Sequence, residues 1–182
     1  RSAIINGIEQ ANAAVQAWGT GAATPVAAVE VLDGLVRPYH VGDSSILMFG
    51  GRGKIKLHTV SHSPVGYAIE AGVLDASEAL YHEDRHLVSN VVGTPEMHIQ
   101  VGPSIELSQR DTVVIATDGL FDNLRLEEIV QHLRKGPLQK TTQKLIQHTQ
   151  QRMDENSPDH PSKPDDLTAI AYRRTSRRGP KK

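Results

Sequence analysis

Four aspartates stand where carboxylates could do chemistry together, because each lies beside a segment predicted to be a β-strand. Asp43 lies in a turn between two short strands, and Asp118 directly follows the most apolar strand of the chain. Asp122 comes four residues later, and Asp165 introduces the last predicted strand. Carboxylates that converge repel one another and need a cation. An all-oxygen set of ligands favours magnesium or manganese.

Each of these aspartates also has an ordinary structural interpretation. Aspartate beside glycine or proline is common in turns, and aspartate at the start of a helix is a common cap. The metal hypothesis therefore depends on the fold, which must bring the aspartates to one rim of a sheet.

Hydrophobic periodicity predicts the elements that would position the aspartates. Apolar residues at steps of three and four predict an amphipathic helix from Ile4 to Trp18, with Trp18 as an anchor in the core. Short β-like runs with Asp-Gly and Gly-Gly breaks then predict an antiparallel meander. Two helices are predicted near the C-terminal end, before a last strand. The predicted strands are 24–32, 36–41, 45–49, 54–60, 97–101, 112–116 and 167–172. The layout predicts the α+β class, with an antiparallel β-sandwich flanked by helices.

Composition excludes several classes of protein. The chain has 182 residues, with 20 Lys and Arg against 21 Asp and Glu, which argues against binding to nucleic acid through bulk charge. The absence of cysteine excludes a disulfide scaffold, a Cys-ligated zinc finger and a thiol nucleophile. No stretch approaches the roughly 20 apolar residues of a membrane span, and the first residues lack the charged-then-apolar layout of a secretory signal. A soluble, cytoplasmic location is the expectation.

Three segments resemble the ordered signature motifs of the metal-dependent protein serine/threonine phosphatases of type 2C, the PPM family. They are Tyr39-His40-Val41-Gly42-Asp43-Ser44, the segment 116–124 (Ala-Thr-Asp-Gly-Leu-Phe-Asp-Asn-Leu) and the segment 164–170 (Pro-Asp-Asp-Leu-Thr-Ala-Ile). Segments 61–64 and 90–93 resemble the borders of the family's variable flap. Short motifs are individually weak, but three in the right order are specific. The resemblance divides the chain into a partial phosphatase domain, 1–173, with a flap at 61–93, and a basic tail or linker, 174–182.

The resemblance implies a β-sandwich flanked by helices, with a binuclear Mn²⁺ or Mg²⁺ centre at one end. Asp118 would be a ligand of one core ion, and Asp165 would share that ion. A third ion would be held by Asp43, with help from Asp118 and Asp122. The implied reaction is hydrolysis of phosphoserine or phosphothreonine in proteins by metal-activated water, which requires no nucleophilic side chain. The resemblance also implies a role in signal transduction and a monomeric protein.

The chain also departs from the family pattern. An arginine that holds the substrate phosphate, and an Asp-Gly pair that bridges both core metals, have no counterpart before Asn12. Ala22-Ala23 stands where many members have two threonines, and Asp166 stands where they usually have asparagine. We therefore expect the family's N-terminal strands to be missing, and weak or no turnover without that segment.

Two alternatives stay open. The first is a catalytically inactive, phosphatase-like binding or regulatory module, although such a module has no physical need for clustered like charges. The second is a zinc hydrolase, because His82-Glu83-Asp84-Arg85-His86 fits the HExxH pattern, in which two histidines one helical turn apart bind zinc. The short, polar setting of this motif argues against a zinc site.

Overall fold

The secondary structure follows most of the predicted elements. The computed structural model describes residues 2–155 and 160–174, so the predicted basic tail beyond Arg174 lies outside the described residues. The helices are α1 (Ser2–Ala17), α2 (Pro64–Glu70), α3 (Ala76–Ala79), α4 (Asp118–Phe121), α5 (Leu126–Leu133) and α6 (Leu138–Asp154), with a 3₁₀ turn at Glu83–His86. The strands are β1 (Val26–Leu32), β2 (Leu35–Val41), β3 (Ser45–Phe49), β4 (Ile55–His58), β5 (Gln100–Val101), β6 (Ile105–Glu106), β7 (Thr112–Ala116) and β8 (Ala169–Arg173).

The strands form two antiparallel sheets. One has the order β1-β2-β5, with β6 also paired to β2, and the other has the order β4-β3-β7-β8. Val36 of the first sheet packs with Ile46, Met48 and Val113 of the second, which forms the layer between the sheets. This arrangement confirms the predicted α+β class with antiparallel sheets.

Helices cover both outer faces of the sandwich. Under α1, Ile8 packs on Tyr39 and Val41 of β2. On the other side, Leu47 of β3 and Leu145 of α6 belong to one buried cluster. Since successive strand residues point to opposite faces, β3 is buried on both faces, and all five of its residues lie in the interior.

The predicted single meander is wrong, because the chain changes sheet between β2 and β3. The β1–β2 hairpin turns at Asp33 and Gly34, which both have positive φ (51° and 78°), as a two-residue hairpin turn requires. The next turn, at Gly42 and Asp43, instead carries the chain to the second sheet. A Cβ at Gly42 would lie 2.5 Å from the Pro25 Cβ, so only glycine allows the crossing to pass this close to the first sheet.

Trp18 does not anchor the core. Its exposed fraction is 66%, because α1 ends at Ala17 and the residue after the helix no longer follows the apolar stripe. Strand β6 and the short helix α4 were not predicted, since two and four residues are too few to show a periodicity. In the described part of the chain, no helix has the length and apolar character needed to cross a membrane.

Candidate metal centre

The junction between β7 and α4 presents two of the four predicted aspartates. Asp118 is the first residue of α4, where its Oδ1 accepts a hydrogen bond of 2.9 Å from the Gly119 N–H. Asp122 follows the helix four residues later. Side chains at i and i+4 of a helix lie on the same face, so both carboxylates point to the same side.

The loop before β8 brings Asp165 to the same place. This loop is tied to the β7–α4 junction through Thr117, whose Oγ1 donates to the Asp166 carbonyl at 3.1 Å and accepts from the Thr168 N–H at 3.2 Å. A Cβ at Gly119 would lie 2.3 Å from the Asp166 carbonyl oxygen. The absence of a side chain at Gly119 therefore allows the loop to approach α4.

Lys163 joins three of the aspartates. Its Nζ lies 2.9 Å from Asp118 Oδ2, 2.8 Å from Asp122 Oδ2 and 3.1 Å from Asp165 Oδ2. The three carboxylates, which come from two separate parts of the chain, thus converge on a single cation. Sequence reasoning missed Lys163, although a lone basic residue two positions before Asp165 was a visible signal.

Asn123 holds the backbone of Lys163 in place. Its side chain is fully buried, and its Oδ1 accepts from the Lys163 N–H at 2.7 Å. Its Nδ2 donates to the Lys163 carbonyl at 2.8 Å and to the Gly119 carbonyl at 2.9 Å. Asn123 belongs to the second sequence motif, but no role was predicted for it.

Asp43 lies near the cluster, but none of the ion pairs in the described part of the chain joins it to Lys163. Burial raises the pKa of Asp43, and the negative charge of Asp118 raises it further, which places the two carboxylates within electrostatic reach. The turn that carries Asp43 is tied to His62, whose Nδ1 accepts from the Gly42 N–H at 3.1 Å. The structure therefore brings three predicted site residues to one cation and places Asp43 beside them.

The pKa shifts follow from the burial of this charged group. Burial raises the pKa of Asp122, and the hydrogen bond from Lys163 offsets part of that rise. For Asp165, burial also raises the pKa, but the hydrogen bonds from Lys163 and from the Asp166 N–H, together with the positive charge of Lys163, outweigh it and the pKa is lowered. Burial opposes the charged form of Lys163, yet hydrogen bonds to Asp122, Asp118 and Asp165 raise its pKa. Lys163 is therefore an ammonium ion at neutral pH.

The donor set fits a hard divalent cation. Carboxylate oxygens are the ligands that magnesium and manganese prefer, and three of them already meet at one positive charge. In the described parts of the chain, no three His, Asp or Glu side chains form a group ready to hold a metal ion. The Asp118, Asp122 and Asp165 carboxylates contact the Lys163 ammonium instead.

The HExxH segment lacks the helix that a zinc site of this type needs. Glu83–His86 is a 3₁₀ turn, and His82 precedes it as the cap, with its Nδ1 accepting from the Asp84 N–H at 3.1 Å. Residues i and i+4 share a face in an α-helix, but the tighter 3₁₀ turn has three residues per turn and separates them. The zinc hydrolase alternative is therefore not supported.

A histidine cluster, in which His40 and His62 are buried and His98 is exposed, lies behind the turn of Asp43. The rings of His40 and His62 are stacked with centroids 4.4 Å apart, and the ring of His98 lies 5.0 Å from that of His62. His40 is only 2% exposed, and its Nε2 lies 2.9 Å from the Val60 carbonyl. Burial lowers the pKa of His40 to about 4, and the neighbouring histidines act in the same direction.

We expect the histidine cluster to cause a loss of stability in mild acid. The folded state keeps His40 neutral down to about pH 4, whereas the unfolded chain protonates it below its ordinary pKa of about 6.5. The unfolded state thus binds more protons in this window, so the free energy of unfolding falls as pH drops from about 6.5 to 4. The contribution of His40 reaches about 3 kcal/mol, from about 1.4 kcal/mol per pKa unit. Urea unfolding at several pH values measures it.

The matched variants are His40→Gln and His86→Gln, the second at an exposed site. The slope of stability against pH between 4 and 6.5 should flatten in His40→Gln and persist in His86→Gln. An unchanged slope in His40→Gln would contradict the assignment to His40.

No protein-family model matches the chain. A curated Streptococcus pyogenes protein whose name places it with the 2C-type protein phosphatases is 30% identical over 132 residues, which are 69% of this chain and 51% of that protein. The S. agalactiae serine/threonine phosphatase superposes with a TM-score of 0.75 at 26% identity, over 93% of this chain and 69% of that one.

A third similarity concerns a metal-bound relative. The catalytic domain of the serine/threonine protein phosphatase PstP, in complex with two manganese ions, superposes with a TM-score of 0.69 at 20% identity, over 88% of this chain and 65% of that one. The predicted fold and the resemblance to the type 2C phosphatases are thereby confirmed. The chain spans about half the length of the curated relative that it matches.

Proposed function

We propose, from its kinship in sequence and fold with the type 2C serine/threonine phosphatases, that this chain hydrolyses phosphoserine and phosphothreonine in proteins at a Mn²⁺ or Mg²⁺ centre. The observation that carries the proposal is the convergence of Asp118, Asp122 and Asp165 on one cation, at the rim where β7 ends and β8 begins.

Each aspartate has a part in this proposal. Asp118 and Asp165 would share one core ion, and Asp43 would hold a third, weaker ion with help from Asp118 and Asp122. The backbone N–H groups of Gly119 and Asp166 hold one oxygen each of Asp118 and Asp165, which orients the other oxygen toward the cation. A divalent ion at such a site supplies a bound water of lowered pKa and a positive charge for the phosphoryl oxygens.

Full activity is proposed to depend on more than these residues. A phosphate-binding arginine and a metal-bridging carboxylate, which the family resemblance implies, have no counterpart before Asn12. We propose two core ions because a structural relative was solved with two manganese ions. Action as a cytoplasmic monomer stays a prediction.

The alternative of a non-catalytic module has one observation in its favour. Lys163 contacts all three converging carboxylates, and a lysine in that position offsets part of their negative charge without any metal. A phosphatase-like module that only binds phosphoproteins would need nothing more to keep these aspartates together.

Hydrolysis of a phosphothreonine peptide tests the proposal. The full-length protein is assayed with manganese, with magnesium and with a chelator, and phosphate release is measured. We expect release with manganese that the chelator abolishes, and much slower release from a matched phosphotyrosine peptide. Hydrolysis that the chelator leaves unchanged would contradict the metal centre. Binding of the phosphopeptide without release would instead favour the non-catalytic module.

A further inference from the structure

One oxygen of each of the three carboxylates in the cluster is directed at Lys163. Asp118 and Asp165 each use Oδ1 to accept a backbone N–H, from Gly119 at 2.9 Å and from Asp166 at 2.8 Å. Their remaining Oδ2 atoms both contact the Lys163 Nζ, as does Asp122 Oδ2. The oxygens that a metal ion would take are thus the ones that the ammonium already holds.

A divalent ion and this ammonium cannot share the three oxygens. Positive charges a few ångströms apart repel strongly in a partly buried site, where the exposed fraction of the Lys163 side chain is 19%. Binding of the ion therefore requires the ammonium to leave.

The structure allows the ammonium to leave while the rest of Lys163 stays. Asn123 holds both the N–H and the carbonyl of Lys163, so the backbone position does not depend on the side chain. The four-carbon stem of a lysine is flexible and its ammonium is readily hydrated, which lets the head group move into solvent. Because the backbone is held, the ammonium stays close by and competes at high effective concentration.

We propose that Lys163 is a built-in competitor of the divalent cation. Its ammonium binds the Asp118, Asp122 and Asp165 carboxylates in the metal-free protein and leaves them when a metal ion binds. This inference rests on the metal centre of the proposed function. Lys163 then sets the metal affinity. In the open state the ammonium has left the carboxylates, and the apparent dissociation constant of the metal ion is the intrinsic constant divided by the fraction of metal-free protein in that state. The mutual repulsion of the carboxylates is thereby reduced, and the cluster stays folded when metal is scarce.

Manganese titration of metal-free protein by calorimetry tests the inference, because it reads affinity and not activity. Lys163→Met removes the charge but keeps an unbranched side chain of similar length. We expect it to bind manganese about 10- to 100-fold more tightly than the wild type, as expected if the open state is about 1–10% populated. Lys163→Arg keeps the charge and should bind weakly. Lys140→Met, at an exposed site on α6, makes the same change in net charge and should match the wild type.

A second measurement separates competition from a purely structural role. Without metal, thermal unfolding of Lys163→Met should occur at a lower temperature, because the carboxylates lose their counter-ion. Saturating manganese should then raise the unfolding temperature more in Lys163→Met than in the wild type. A lysine that only supports the fold would lower stability in the same way, but its loss would not tighten metal binding.

The outcomes distinguish this inference from the proposed metal centre. Equal manganese affinity in the wild type and Lys163→Met, or weaker binding in the variant, would overturn the competitor role while the metal centre stands. Absence of manganese binding in the wild type and in every variant would overturn the metal centre, and the competitor role with it. Binding that is detected only in Lys163→Met would support the inference.

Discussion

Asp118→Asn is expected to abolish manganese-dependent hydrolysis of a phosphothreonine peptide by the full-length protein. The amide keeps the size of the carboxylate and retains an oxygen that can accept from the Gly119 N–H. It replaces the oxygen that faces the cation with an amide NH2 group, which has no negative charge and cannot bind a cation. Loss of an outer partner of a metal site costs about 10- to 100-fold in affinity or activity, so loss of a direct ligand should cost more. Phosphate release at saturating manganese measures the effect.

Asp154→Asn is the matched control, because it makes the same change in net charge at an exposed site at the end of α6. This control should keep the activity of the wild type. Calorimetric titration with manganese should show the weakening of metal binding by Asp118→Asn directly. Wild-type activity in Asp118→Asn would mean that the reaction does not use the rim formed by β7 and α4.

The agreement between sequence and structure is best where one physical signal dominates. Thr112–Ala116 was predicted with the right boundaries, because a continuous apolar run is typical of a strand buried on both faces. The apolar stripe of α1 likewise marks a helix of four turns that packs one face on a sheet. The Asp-Gly pair at Asp33-Gly34 predicts the turn of the β1–β2 hairpin, and both residues have positive φ in the structure.

The switch between sheets could not be predicted from local patterns. A turn with glycine and aspartate at Gly42-Asp43 looks like a hairpin turn, and only the pairing of β3 with β4 and β7, and not with β2, shows that the chain crosses to the other sheet here. Local signals report which residues can turn, whereas the destination of the turn depends on which faces must be buried.

The candidate metal centre shows the same division between features that are local in the sequence and contacts that depend on the fold. The aspartates could be found because their residue type and their positions beside strands are local features. The contribution of Lys163 depends on the pairing of β7 with β8, which brings a residue 41 positions away from Asp122 to the same point. The contribution of Asn123 depends on the same pairing, since its partners lie 40 residues away. Contacts across such distances are set by the fold, and the sequence alone did not indicate them.

Asn123→Ala is expected to destabilise the protein by about 3–5 kcal/mol, because it would leave three buried backbone groups without a partner. These groups are the N–H and carbonyl of Lys163 and the carbonyl of Gly119. A buried polar group that loses its partner costs about 1–3 kcal/mol. The fully buried side chain also leaves a small cavity. Urea unfolding at neutral pH measures the loss, and Asn6→Ala, at an exposed site on α1, should change stability by less than about 1 kcal/mol.

The same substitution should also affect the charged cluster, since Asn123 holds the backbone from which the Lys163 ammonium extends. In the folded fraction of Asn123→Ala, the ammonium is less well placed to bind Asp118 and Asp122. Lys163→Met should therefore increase the manganese affinity less in the Asn123→Ala protein than in the wild type. The comparison of the four proteins in this double-mutant cycle isolates that coupling. A loss of stability below about 1 kcal/mol would mean that water satisfies the three backbone groups. Full additivity in manganese affinity would mean that Asn123 does not position the ammonium.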